Sequence, residues 1–214
     1  MKVLVSGFDP FGGDEINPAF EAVKLIPEQV AGAEIIKVEI PTVFGKCAVV
    51  LKEAITRHQP DAVLCVGQAG GRSVISVEKV AINLGEARIA DNEQQQPTDQ
   101  ALIEDGPTAY FATLPLKAMV KNIKEHGIPA SISYTAGTFV CNDIMYHLLY
   151  MIEHEFPQMR GGFIHVPFDT MQVLERPEGT PSMPVATISK ALEYALEAIV
   201  QNENDVSGEA GTTH

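Results

Sequence analysis

Two kinds of apolar pattern alternate along this 214-residue chain. Short unbroken runs such as "KVLVSGF" near the start, "DAVLCVGQAGG" from Asp61 and "GGFIHVPF" from Gly161 have the continuous apolar character of strands covered on both faces. Between them lie longer segments in which apolar residues recur every three or four positions, the spacing of one helical face. In "GKCAVVLKEAITRHQP" that face carries Ala48, Leu51, Lys52 and Ile55. In "CNDIMYHLLYMIEHEF" it carries Ile144, Leu148, Met151 and Ile152.

Taken in order, the pattern predicts a strand over 2–8, a helix over 19–28, a strand over 33–44, a helix over 45–60 and a strand over 61–71. The Val- and Ile-rich stretch 73–90 reads as strand, either single or folded into a hairpin, and the polar 91–107 as a long loop of the kind that often lines a site. A helix over 114–127 with a Gly stop, a strand over 128–140, a helix over 141–156 halted by Pro157, a strand over 161–168, a loop over 176–184 and a helix over 185–201 complete the reading. The tail 202–214 lacks apolar periodicity and is expected to be disordered.

Strands alternating with helices imply an α/β protein: one domain over 1–201, built as a three-layer α/β/α sandwich around a largely parallel, mixed sheet. Ligands of such sheets bind at the carboxyl ends of strands. That directs attention to Phe8–Gly13, Gln68–Arg72, Cys141 and His165.

Charge narrows the function. The formal net charge of -13, with no run of Lys or Arg, argues against nucleic acid or an anionic membrane as partner. The first residues lack the apolar core of a signal peptide, and no apolar run reaches the ~18 residues of a membrane span, so a cytoplasmic protein is expected. Cys47, Cys65 and Cys141 are odd in number and form no CxxC, which indicates neither a disulfide framework nor a zinc site. Gly7 and Gly12 have the outer spacing of a phosphate loop, but Gly13 and Asp14 stand where Lys and Ser/Thr would be required.

Three residues carry candidate chemistry. Cys141 falls where a β-rich segment turns into a helix, and a helix N-terminus favours a thiolate, so the thiol is expected to have a lowered pKa. Its spacing alone leaves it between a nucleophile and a buried thiol. His165, alone of the six histidines, closes a central strand, while His147, six residues beyond Cys141, is too far along the helix to serve the thiol. Glu78 is an acid inside an apolar strand and needs a partner, which Lys79 or Arg88 would supply structurally and His165 functionally. A thiol, an imidazole and an orienting carboxylate from separate elements meet the needs of nucleophilic catalysis. Phe8 and Phe11 follow the first strand, either as walls of a ligand site or as ordinary packing.

The blocks "VSGFDPFGG", "GQAGGRSVISVEKVAINLGEARIADN", "GIPASISYTAGTFVCN", "GFIHVPF" and "TPSMP" together resemble the pyroglutamyl-peptidase I family of cytosolic cysteine peptidases. The resemblance implies a fold of the phosphorylase/hydrolase kind, no cofactor or metal, a homotetramer, and removal of N-terminal pyroglutamate from peptides. It implies Glu78, Cys141 and His165 as catalytic residues, and Phe8, Phe11, Gln68, Phe139 and Arg88 around the substrate. Lys79, Glu86 and Ala90 depart from the family's usual Arg, Asp and Pro. The rivals are a silent small-molecule-binding homologue and a nucleoside-acting α/β enzyme.

Overall fold

Three neighbouring strands are apolar almost end to end because helices cover the sheet on both faces. They are β1 (Lys2–Phe8), β4 (Ala62–Gln68) and β9 (Arg160–Val166), and each has a single position that is not fully buried. The computed structural model describes residues 1–208. Its remaining strands are β2 (Gln29–Val30), β3 (Ala33–Ile40), β5 (Ile75–Glu78), β6 (Val80–Ile82), β7 (Ala109–Phe111) and β8 (Ala130–Ser133). The helices are α1 (Pro18–Leu25), α2 (Lys46–His58), α3 (Leu116–Glu125), α4 (Val140–His154) and α5 (Val185–Gln201), with a 3-10 turn at Thr170–Val173.

The main sheet runs β2-β3-β1-β4-β9-β5-β8. From β3 to β9 every pairing is parallel, whereas β2 is antiparallel to β3 and β5 is antiparallel to β9. The expected mixed α/β/α sandwich is therefore present. Helices α2 and α4 pack together on one face, and α1, α3 and α5 on the other.

The stretch 73–90 is divided between two sheets. Strand β5 enters the main sheet, while β6 leaves it to pair with β7 beyond the long loop. The buried side chain of Asn142 draws β6 toward α4, accepting from the Ile82 amide at 3.0 Å and donating to the carbonyls of Ile82 and Leu84 at 2.9 and 3.0 Å. The loop over 91–107 has no regular element, and Asn83 organises its far end by accepting from the amides of Leu102 and Ile103. The strand expected over 128–140 stops at Ser133, and the chain then turns, with Gly137 at φ 79°, into α4. The strand expected over 33–44 ends at Ile40, before Pro41.

Beyond α5 the chain is held. The Arg160 guanidinium donates to the carbonyls of Ile199, Asn202 and Glu203 at 2.7–3.0 Å, and the Asp205 carboxylate accepts from the amides of Lys117 and Ala118 in the first turn of α3. These contacts fall within the first part of the expected disordered tail, and Glu209–His214 lie outside the described residues. Among the described residues no helix is long and apolar enough to cross a membrane.

Candidate active site

Strand β9 lies between β4 and β5, and the register places His165 opposite Gly67 on one side and Ser76 on the other. Paired residues point to the same face of a sheet, so Glu78, opposite Phe163, shares the face of His165. Its carboxylate Oε1 accepts from His165 Nδ1 at 2.7 Å and from Arg72 Nη1 at 2.6 Å. Glu78 is 0% exposed and His165 4%, so both belong to the interior. A carboxylate this deep is tolerable only when charge and hydrogen bonds compensate it. The compensating cation is Arg72, which sequence reasoning had not paired with it. Lys79 instead lies 5.4 Å over the Phe111 ring, and Arg88 is exposed.

Cys141 is the second residue of α4 and sits on this same face. A Cβ built on Gly67 would stand 2.8 Å from Cys141 Sγ and 2.7 Å from Phe163 Cζ. The sulfur therefore rests above the glycine that is in register with His165, and adjacent strands lie only ~4.8 Å apart. Only glycine leaves room for it. The amides of Asn142 and Asp143 donate to the Phe139 carbonyl at 3.0 and 3.1 Å, whereas those of Val140 and Cys141 have no acceptor among the described residues.

The charge states differ from the sequence expectation. Burial pushes the Cys141 thiol up to about 12; nearby Glu78 adds to the rise and Arg72 opposes it. Burial also lowers His165, against the upward pull of its bond to Glu78. Desolvation is the largest effect on both groups, and the two shifts favour a thiol and a neutral imidazole at rest. Part of Cys141 stays open to solvent, as a group that meets a ligand must.

An aromatic wall adjoins the thiol. Phe139 packs against Phe11 with centroids 6.1 Å apart and receives Phe44 edge-on at 5.4 Å. The Phe44 amide donates to Asp91 at 3.0 Å and the next amide, Gly45, to Asp143 at 2.7 Å, so two carboxylates grip the turn that carries the ring. Phe44 follows β3, which ends at Ile40, and the carboxyl end of a strand is where a site residue could have been suspected. Phe8 is 2% exposed and packs in the core, which is the ordinary-packing alternative for that residue. Gln68 Oε1 accepts from Gln172 Nε2 at 3.0 Å, and Gln172 also reaches Asp14, itself paired with Arg176. No local pattern in the sequence pointed to Gln172, because it arrives on the short 3-10 turn. Arg88 lies two residues from Glu86, whose backbone exchanges hydrogen bonds with Thr138 at 3.0 and 2.7 Å.

Comparison with known proteins places this geometry. The pyroglutamyl peptidase I of Bacillus amyloliquefaciens superposes with a TM-score of 0.94 at 49% identity, over 97% of this chain and 99% of that one. The pyrrolidone carboxyl peptidase of Thermococcus litoralis gives 0.92 at 37% identity, over 97% and 99%. The curated pyrrolidone-carboxylate peptidase of Enterococcus faecalis is 62% identical over the full length of both chains. Fold and sequence together define a hydrolase of the peptidase class. More narrowly, the pyroglutamyl peptidase family model matches residues 1–202, and the chain belongs to that family.

Proposed function

We propose that the chain hydrolyses the amide bond following an N-terminal pyroglutamyl residue, with Cys141 as nucleophile, His165 as general base and acid, and Glu78 as the group that orients the imidazole. The observation that carries this reading is the 2.7 Å bond from His165 Nδ1 to buried Glu78, with the Cys141 sulfur over Gly67, the register partner of His165.

With Nδ1–H donated to the carboxylate, Nε2 holds the free lone pair. As the sulfur attacks the pyroglutamyl carbonyl, His165 takes the thiol proton, and the new C–S bond leaves negative charge on the carbonyl oxygen. The unpartnered amides at the start of α4 suit that oxyanion, and the family resemblance adds Arg88 as a further donor. His165 then protonates the departing amine as the C–N bond breaks, leaving a thioester. Water, deprotonated by His165, cleaves the thioester to pyroglutamate and free thiol. Proton transfer during attack suits a thiol that is neutral at rest.

A lactam is compact, uncharged and half apolar. Aromatic faces at Phe11 and Phe139 suit its methylenes, Gln68 suits its amide, and Phe8 ends the strand beside Gln68's. A free ammonium in the same place would lose its hydration without a counter-charge. Cytoplasmic location and a tetramer complete the proposal and rest on family resemblance.

The test is fluorophore release from a pyroglutamyl amide by wild type, by alkylated wild type and by Cys141→Ser. Loss of activity in the second and third supports the reading. Activity persisting in Cys141→Ser would remove it.

A further inference from the structure

The interior of the site holds a charge that the proposed reaction does not use. Arg72 follows β4 in a turn closed by its own amide on Ala69, and its side chain is 28% exposed while the carboxylate it meets is 0% exposed. Nη1 contacts Glu78 Oε1 at 2.6 Å, and Nη2 donates at 3.2 Å to the carbonyl of Thr135, in the segment that leads into α4 and Cys141. Both partners of Glu78 load the same oxygen: Oε1 receives Arg72 and His165, while Oε2 is buried with no partner among the described residues.

We infer that Arg72 is a positioning residue of the proposed catalytic site, holding the Glu78 carboxylate against His165 and keeping the buried group electrically neutral while a proton moves between Cys141 and His165. The inference rests on the function proposed above. With Arg72 in place the four groups sum to zero as thiol and neutral imidazole, and again to zero as thiolate and imidazolium. The proton then moves within an interior that is neutral before and after. Without Arg72 both states carry one buried negative charge, and the site gains affinity for an extra proton. The form that fills is imidazolium beside an unreactive thiol, with His165 unable to act as base.

The titratable or charged groups that face this cluster are Glu78 from β5, His165 from β9, Cys141 from α4 and Cys65 from β4. Lys79 is engaged over Phe111, and Arg88 is exposed, so neither replaces the guanidinium. Lys in place of Arg72 keeps the charge but lacks the two-pronged reach that joins Glu78 to Thr135.

The experiment is the pH profile of kcat/KM for the full chain and for Arg72→Gln and Arg72→Lys, on a pyroglutamyl fluorogenic amide. Arg72→Gln is expected to move the acid limb upward by about one pH unit, so that activity falls roughly tenfold at the foot of the limb and recovers toward alkaline pH. Arg72→Lys is expected to keep the wild-type limb at a lower plateau. A Gln variant that loses the same factor at every pH, or none, overturns the inference, as does a Lys variant whose limb moves like that of Gln. If circular dichroism shows Arg72→Gln unfolded, the Lys profile decides alone: an unmoved limb supports the inference and a displaced one overturns it. Failure of the functional reading looks different, because wild type would then release no fluorophore or Cys141→Ser would remain active.

Discussion

The sulfur of Cys141 lies 2.8 Å from the point where a Cβ at Gly67 would stand, so the thiol occupies space that any other residue at 67 would fill. The same point is 2.7 Å from the Phe163 ring, which is itself packed at 4.8 Å against His165. Gly67→Ala is expected to displace sulfur, ring or both. Activity should fall about 10²-fold, the usual effect of an ångström-scale misplacement, with a stability loss of about 1–3 kcal/mol from overpacking. Steady-state kinetics and urea denaturation would measure the two effects, and a fully active alanine variant would refute the placement.

Glu78→Gln removes a charge but little volume. It strips Arg72 of its counter-charge and His165 of its acceptor, so kcat should drop about 10²-fold or more and stability by about 3 kcal/mol. Part of the Arg72 side chain reaches solvent, which keeps the stability cost at the low end of the range for broken buried pairs. A variant with an unchanged urea midpoint would contradict the assigned pairing.

The buried thiols make the fold sensitive to alkali. Burial raises Cys65 from 9.0 to about 12 and raises Cys47 as well, so each ionises more readily in the unfolded chain. Their stabilising contribution is therefore complete below pH 9 and declines as the pH rises above it, by about 1.4 kcal/mol per pH unit for each thiol. Cys65→Ala should flatten the fall in stability above pH 9 by about that slope. Urea denaturation between pH 8.5 and about 10.5 would check this, and an unchanged slope would contradict it.

Asp143 links the helix of the thiol to the turn of Phe44. It accepts from the Gly45 amide at 2.7 Å, from the Cys47 thiol at 3.3 Å and from His147 Nδ1 at 2.9 Å. Burial lowers His147, but the Asp143 bond and charge outweigh it, and the net shift is upward. Its contribution is therefore full below pH 6.5 and declines as the pH rises. Asp143→Ala should cost about 3 kcal/mol, remove that pH dependence and loosen one of the two holds on the turn of Phe44, so KM for a pyroglutamyl amide should rise more than kcat falls, as steady-state kinetics would show.

The Asp205 carboxylate satisfies two amides at the start of α3, where Pro115, the residue preceding the helix, offers no side-chain cap. Asp205→Ala is expected to cost about 1 kcal/mol, readable as a lowered Tm, without altering kcat/KM.

Much of this was legible because burial on both faces writes itself into sequence as unbroken apolar runs. The strands around Leu4, Leu64 and Ile164, and the helical face through Ile144 and Leu148, follow from that rule. The direction of β5 did not, since parallel and antiparallel neighbours demand the same apolar residues. Arg72 stood out by its place after a strand, but its pairing with Glu78 escaped for a related reason: that bond depends on how the turn after β4 folds back, which side-chain spacing does not encode. The thiol's position was legible and its charge was not, because the helix N-terminus is visible in the sequence while the burial that opposes it is a property of the assembled layers.

Strand β9 is threaded late in the chain between β4 and β5, both of which are synthesised well before it. Until it arrives, the sheet is in two halves and His165 has neither Gly67 nor Glu78 beside it. Hydrolytic competence on this proposal is thus withheld from nascent or partly refolded chains, and in a refolding experiment it should return no earlier than the joining of the two halves of the sheet.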